Sequence, residues 1–125
     1  MIRNPNKAMF SIVRPSHYKI EEFLRSQHGK PYTYPEVGQT QNGPMIQDHP
    51  LSRQYRLIYH RFLLGYGEKS YESAKKGFQR WDMFALDWTH IHPPDTPMKE
   101  ESLVGVVSHV LGVWSINVGR IIYVV

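Results

Sequence analysis

Two histidines lie two positions apart in the segment LDWTHIHPPD, just before a double proline. On a β-strand His90 and His92 would point to the same face. With a third ligand, such as Asp95, His60 or His109, two imidazoles can hold Zn²⁺ or Fe²⁺. The pattern is weak by itself, and the prolines favour a sheet edge. We therefore interpret the pair as surface residues at an edge, and we predict neither a metal site nor a cofactor.

Two ionisable side chains fall within the apolar C-terminal third of the chain. His109 follows alternating apolar positions and is predicted either to be hydrogen-bonded in the core or to face a cavity, where it can act as an acid or a base. Arg120 has apolar neighbours as well. A buried arginine requires a carboxylate, for which Glu36, Glu68 and Asp87 are candidates, or an anionic ligand.

Aromatic side chains supply the walls of a predicted ligand pocket. Large rings form apolar surface, and the indole N–H of each tryptophan seeks an acceptor. Packing in an ordinary core is the alternative interpretation. No residue is assigned a catalytic role. The predicted ligand-binding residues are Tyr34, Glu36, Trp81, Trp88, His109, Trp114, Asn117 and Arg120.

Composition narrows the classes of function. The 125 residues fit one domain, and the absence of cysteine excludes disulfides, thiolate metal sites and a cysteine nucleophile. The net charge of +4 comes from scattered basic residues, so we predict no nucleic-acid partner. The absence of cysteine fits a reducing compartment, and we predict a cytoplasmic location. The most apolar stretch, 103–125, contains Arg120, which favours buried strands over a membrane helix.

The first part of the predicted single domain, 1–50, combines a helix with a loop. Ser16 is placed to cap a helix over 17–27, whose apolar residues recur at helical spacing. Residues 29–45 are rich in proline, glycine and tyrosine. We expect this loop to lie across the core, where it either roofs a cavity or serves as a packed connector.

The second part, 51–125, is predicted to form a strand–helix–strands core. Alternating helices and sequential strands indicate an α+β fold with a curved antiparallel sheet and helices packed on it. The chain stops within an apolar segment, which suggests a truncated form or an exposed strand edge that pairs with another chain. The predicted elements are a strand over 55–67, a helix over 68–81, and strands over 84–92, 103–112 and 114–125.

Four phrases, in this order and spacing, resemble uncharacterised protein family 0548 of bacteria and plants. The resemblance implies relatives that continue beyond residue 125 and an incomplete helix-grip (START-like) architecture. The resemblance implies a protein of unknown biochemical function. Our leading hypothesis is that it binds a small hydrophobic or amphipathic, lipid-like ligand between sheet and helix. Two alternatives are an enzyme that uses His109 or a metal at His90 and His92, and an assembly or peripheral membrane protein that uses the open strand edge. The phrases are RPS (14–16), PYTYPEVGQT (31–40), LGYGEKSYESAKKGFQRWDMFALDW (64–88) and VWSINVGRIIYVV (113–125).

Overall fold

A computed structural model describes residues 8–42, 55, 58 and 60–124 of the chain. The elements form a four-stranded antiparallel sheet in the order β1-β4-β3-β2 and two α-helices, which confirms the predicted α+β class. Short 3₁₀ segments cover Gln39–Asn42 and Asp82–Phe84. The helices and strands are β1 Met9–Ser11, α1 His17–Gln27, α2 Gly67–Gln79, β2 Thr89–His92, β3 Leu103–Val110 and β4 Val113–Arg120.

The first helix, α1, forms as its sequence predicts. The Ser16 side chain accepts a hydrogen bond from the backbone N–H of Lys19 at 3.3 Å, so the predicted N-cap is confirmed. Ile20, Leu24 and Gln27 are buried along one face. That face packs on the sheet against β3 and β4. The side chains of α1 are therefore fixed relative to the central strands.

A two-residue turn joins β3 to β4 and sets the register of the whole hairpin. Leu111 and Gly112 have φ values of 50° and 77°, and two consecutive left-handed residues are typical of a type I′ turn. Pairing runs in step from Val110↔Val113 at the turn to Leu103↔Arg120 at the far end. The turn thus determines which residues of the two strands become neighbours.

Replacing Leu111 with asparagine is expected to raise the free energy of unfolding by about 1 kcal/mol. A side chain with a Cβ is strained at positive φ, and asparagine tolerates this conformation better than leucine. Leu111 is 99% exposed, so the change removes no packing. Chemical denaturation checks the shift. Leu111→Ala is the control, since it removes the leucine without adding a preference for the left-handed region; an equal gain in both variants would contradict the turn argument.

Among the described residues, the two edges of the sheet are β1 and β2. The three-residue β1 was not predicted; it pairs Met9 with Ile116 and Ser11 with Trp114. The last strand, β4, therefore lies inside the sheet, and only its second half lacks a partner on the β1 side among the described residues. No helix in the described ranges has the length and apolar character that crossing a bilayer requires.

The core is small and lies between α1 and the sheet. Ile20 and Leu24 of α1 pack against Val107 and Ile116, and the last two are the most fully buried large side chains of the described chain. Because side chains alternate along a strand, Ile91 of β2, which is also buried, lies on the opposite face of the sheet. Helix α1 therefore packs on the face of the sheet that carries Val107.

Two predicted elements differ from the structure. The strand over 55–67 is wrong where it can be seen, since residues 55, 58 and 60–66 belong to no strand and are exposed. Residues 56, 57 and 59 lie outside the described residues, and residue 67 begins α2. The helix itself is confirmed, but α2 buries none of its residues: Tyr71 and Phe78 of its apolar stripe are 64% and 54% exposed. The other strands are shorter than predicted, because residues 84–88 and 121–124 lie outside β2 and β4.

Candidate functional site

A cleft opens where the loop after α1 crosses the far ends of β3 and β4. Its volume is about 180 Å³. The loop was predicted to lie across the core and either roof a cavity or act as a connector, and here it forms one wall of the cleft. We call this feature the Arg120 cleft; its principal lining residues are Gln27, Tyr32, Tyr34, Val118, Arg120 and Ile122.

Arg120 is a cation in the lining of the cleft, and its guanidinium is held from three sides. Its guanidinium carbon lies 5.1 Å from the centre of the Tyr32 ring, a cation–π arrangement. One Nη donates to the Lys30 carbonyl at 3.1 Å, and the other lies 3.7 Å from a Glu101 oxygen. The carboxylate predicted for this arginine was Glu36, Glu68 or Asp87, and that prediction is wrong. Glu101 takes the role because it lies two residues before β3, and its backbone N–H donates to the Ile121 carbonyl just past the end of β4.

Tyr32 and Glu101 fix the guanidinium in place. The Tyr32 hydroxyl donates to the other Glu101 oxygen at 3.1 Å, so ring, carboxylate and guanidinium form a closed triangle. The Arg120 side chain is 17% exposed, whereas that of Glu101 is 71% exposed and accessible to water. Solvent weakens the attraction of such a carboxylate. Arg120 therefore retains positive potential toward the cleft.

Gln27, another residue that lines the cleft, carries an unsatisfied polar atom. It is 5% exposed, and its amide nitrogen donates to the Ser26 hydroxyl at 2.8 Å. Its Oε1 has no hydrogen-bond partner among the described residues. A buried acceptor without a donor is unfavourable, so a ligand hydroxyl or N–H would improve this position.

His109 does not occupy the buried position that the sequence suggests. It is exposed near the end of β3, beyond the part of the strand that α1 covers. Its ring stacks on Trp114, with centroids 4.4 Å apart and planes at 14°. The Arg14 guanidinium carbon lies 5.5 Å from the centre of the Trp114 ring. Two predicted site residues thus meet, but in a surface stack rather than in the cleft.

The remaining predicted site residues are dispersed. Glu36 accepts a hydrogen bond from the Tyr55 hydroxyl, and this bond raises the pKa of Tyr55 above its ordinary value. The indole of Trp81 donates to the Thr96 carbonyl at 2.8 Å, as a structural tryptophan does. Trp88 and Asn117 are exposed. Of the eight residues predicted to bind ligand, Tyr34 and Arg120 line the cleft.

His90 and His92 also have different surroundings. His90 is exposed, whereas His92 is buried at 5% exposure. Partial loss of solvent around the exposed His90 ring and burial of His92 lower the pKa of both imidazoles below the usual range, and the nearby Arg14 lowers that of His90 further. The ring that His92 contacts is that of His17, with centroids 4.4 Å apart and planes at 79°. The sheet-edge position predicted for the pair is confirmed, since both lie on β2, but the predicted surface placement is wrong for His92, which is buried.

Sequence reasoning missed Gln27 and Glu101 as functional residues. The helical spacing predicts that Gln27 shares the apolar side of α1 with Ile20 and Leu24, but it gives no sign that the amide would line a cleft. Glu101 became a candidate only once the hairpin register was known. In that register Leu103 pairs with Arg120, so Glu101 lies beside the end of β4. Both residues could be assigned to the cleft only after the tertiary arrangement was known.

Comparisons with known proteins identify relatives but no activity. A family model described as Domain of unknown function (DUF1990) matches residues 33–125. The UPF0548 protein of Dictyostelium discoideum is 24% identical over 118 residues, which cover 92% of this chain and 55% of the relative. A UPF0548 protein of Arabidopsis thaliana is 39% identical over 54 residues, which cover 42% of this chain and 26% of the relative. The chain thus spans about half the length of the Dictyostelium relative and about a quarter of the Arabidopsis relative. No solved structure matches the chain.

Proposed function

Because the chain belongs to the family described as Domain of unknown function (DUF1990), whose description names no activity, we propose a function from the geometry: the protein binds a small amphipathic anion in the Arg120 cleft. The observation that carries the proposal is the Arg120 guanidinium, held by Tyr32 and the Lys30 carbonyl at the wall of an apolar cleft. A guanidinium held in this way favours a carboxylate or phosphate because the ligand does not have to order it.

The charge and polarity of the cleft support this class of ligand. Arg120 and Lys30 contribute two positive charges to the lining, and the exposed Glu101 offsets one of them. Val118 and Ile122 add apolar surface beside them. A few polar groups within a mainly apolar concave surface are typical of small-molecule sites. An anionic group at Arg120 with a short apolar part along β4 matches this distribution.

The volume of the cleft limits the size of the ligand. Sites for drug-sized molecules usually enclose about 300–1,000 Å³, and the Arg120 cleft encloses about 180 Å³. The lipid-like ligand favoured by the sequence is therefore narrowed to a small molecule, or to the polar end of a larger one whose tail remains in solvent. The unpaired Gln27 oxygen adds a preference for a hydroxyl or N–H donor next to the anionic group.

The architecture gives further support for a ligand-binding role. A helix packed on one face of an antiparallel sheet, with a loop crossing the end of the sheet, is compatible with the helix-grip arrangement proposed from the sequence. Function does not follow from a fold alone. The site itself therefore carries the proposal, and the architecture explains why a cleft exists between loop and sheet.

Arg120→Gln is expected to weaken binding of a short carboxylate by about tenfold, because it removes one charge-assisted contact while keeping a polar, though shorter, side chain. Hexanoate is the probe, and ¹H–¹⁵N correlation spectra of the full chain are the measurement. In the native protein, hexanoate should shift the backbone amides of Tyr32 and Val118. Hexanol and hexylamine, matched in length, should bind more weakly at the same position.

The control variant is Lys19→Gln, which removes an exposed positive charge at the opposite end of α1 from Gln27. It should leave the affinity for hexanoate within a factor of about two, because an exposed charge at that distance is screened by salt. Shifts confined to the exposed apolar face of α2, or equal binding of hexanoate and hexylamine, would contradict the proposal.

The alternatives drawn from the sequence stay predictions with different degrees of support. An acid–base role for His109 has little support, because the imidazole is exposed and stacked on Trp114. Assembly through a strand edge would have to use β1, β2 or the half of β4 beyond Ile116. The uncovered apolar stripe of α2 is a second surface compatible with assembly.

A further inference from the structure

Three side chains outside the Arg120 cleft converge where the start of α1 meets the end of β2. His17 and Glu21 are one helical turn apart, so they share a face of α1. His17 Nδ1 lies 3.5 Å from Glu21 Oε1, and the His17 ring meets the His92 ring edge-on at 4.4 Å. One ligand atom of each residue lies within 4.8 Å of the others. Among the described residues, this is the one such group of three or more.

His92 distinguishes this group from an ordinary cluster of exposed side chains, because it is buried. It is 5% exposed, and its Nε2 has no hydrogen-bond partner among the described residues. A buried polar atom without a partner is unfavourable unless something binds it.

We propose that His17, Glu21 and His92 form a binding site for a divalent transition-metal ion, with Zn²⁺ as the best match. Two imidazoles and one carboxylate are a ligand set that Zn²⁺ accepts, and three protein ligands leave a fourth position for water or another small molecule. Two neutral imidazoles and one carboxylate carry a net charge of −1, which partly neutralises the ion. The site is separate from the Arg120 cleft and does not depend on the proposed function.

Modest movement brings the ligand atoms to coordinating distance. Tetrahedral ligands at Zn–N and Zn–O bonds of about 2.0–2.1 Å lie about 3.3 Å from one another. The His17 and Glu21 side chains are 72% and 45% exposed, so rotamer changes can bring them closer without disturbing the core. His92 is fixed by burial and provides the rigid point of the site. His90 and Asp95 influence His92 electrostatically but do not belong to the cluster.

The site differs from the metal hypothesis that the sequence raised. Two histidines on one strand suggested that His90 and His92 would act together, yet the structure pairs His92 with residues of α1. The relevant sequence pattern is His17 and Glu21 at a spacing of four, which is common on exposed helix faces and becomes informative only when a buried histidine lies opposite. The third ligand therefore comes from an element about 70 residues away.

The test is Zn²⁺ binding to the full chain, purified without an affinity tag because the chain already contains seven histidines. Competition with a chromophoric chelator measures the affinity and stoichiometry, and long-range ¹H–¹⁵N spectra of the imidazoles identify the ligands. We expect one tight equivalent of Zn²⁺ and shifted ring nitrogens for His17 and His92. His17→Ala and Glu21→Gln should each weaken binding at least tenfold; both side chains are largely solvent-facing, so both variants should fold.

Matched controls lie on or directly after the same helix. Glu22→Gln and His28→Ala remove the same groups at exposed positions and should leave the affinity within twofold. Equal losses in the control variants, several weak equivalents, or unshifted His92 nitrogens would mean scattered binding to surface histidines and would overturn the proposal. Retention of the tight equivalent in both His17→Ala and Glu21→Gln would overturn it as well.

Discussion

Ile116→Ala is expected to lower the free energy of unfolding by about 2–5 kcal/mol, the usual range when a fully buried aliphatic side chain is truncated. Ile116 is 0% exposed and lies where β1, β3 and α1 meet: it pairs with Met9 and Val107 and packs in one cluster with Ile20. Rigid strands on both sides leave little room for the neighbours to collapse into the cavity. Urea denaturation followed by circular dichroism measures the change.

The control for this substitution is Val113→Ala on the same strand. Val113 is 41% exposed at the start of β4, so truncating it should cost about 1 kcal/mol or less. Typical domains are stable by only about 5–15 kcal/mol, so the loss at Ile116 would be a large fraction of the total. Equal effects at the two positions would contradict the placement of the core between α1 and the central strands.

Gly105→Val is expected to lower the free energy of unfolding by about 1–3 kcal/mol, although valine favours strands more than glycine does. A Cβ at Gly105 would lie 3.3 Å from the His92 carbonyl oxygen and 3.5 Å from a methyl of Leu24. The two further methyl groups of valine would press against Leu24 and push α1 away from the sheet. Steric overlap therefore outweighs the strand preference at this position.

Two further variants separate packing from backbone effects. Gly119→Ala places a Cβ at an ordinary 3.7 Å from Val104, so it should be neutral or slightly stabilising. Leu24→Ala combined with Gly105→Val should cost less than the sum of the single changes, because the smaller side chain makes room for the valine. Strict additivity would contradict a direct contact between residues 24 and 105.

The elements that the sequence predicted well are those governed by local chemistry. Helix α1, with its Ser16 cap and apolar spacing, needs no distant partner to be recognised. The three residues of β1 are too few for a pattern, and they become a strand because β4 offers an edge. The aromatic and branched residues of 55–67 resemble a strand, yet residues 60–66 have no strand partner in the described structure.

The candidate sites were less predictable, because each combines elements that are far apart along the chain. Arg120 was recognised as an ion that needs a partner, but the partner depended on the hairpin register. His92 was recognised as a ligand type, but its neighbours depended on where α1 packs. Residue type thus indicated the chemistry, and tertiary packing decided which groups meet.

The sheet order also affects how the chain can fold. Strands β3 and β4 are joined by two residues and can pair early, whereas β1 and α1 bind to a strand roughly a hundred positions later in the chain. Closing so long a loop costs entropy before any contact compensates for it, and contacts of this kind slow folding. On the ribosome, the first helix emerges long before the surface that it will cover has been synthesised. The apolar face of α1 therefore stays exposed in the nascent chain until β4 has emerged, and this interval is the period in which the chain is most open to aggregation or chaperone binding.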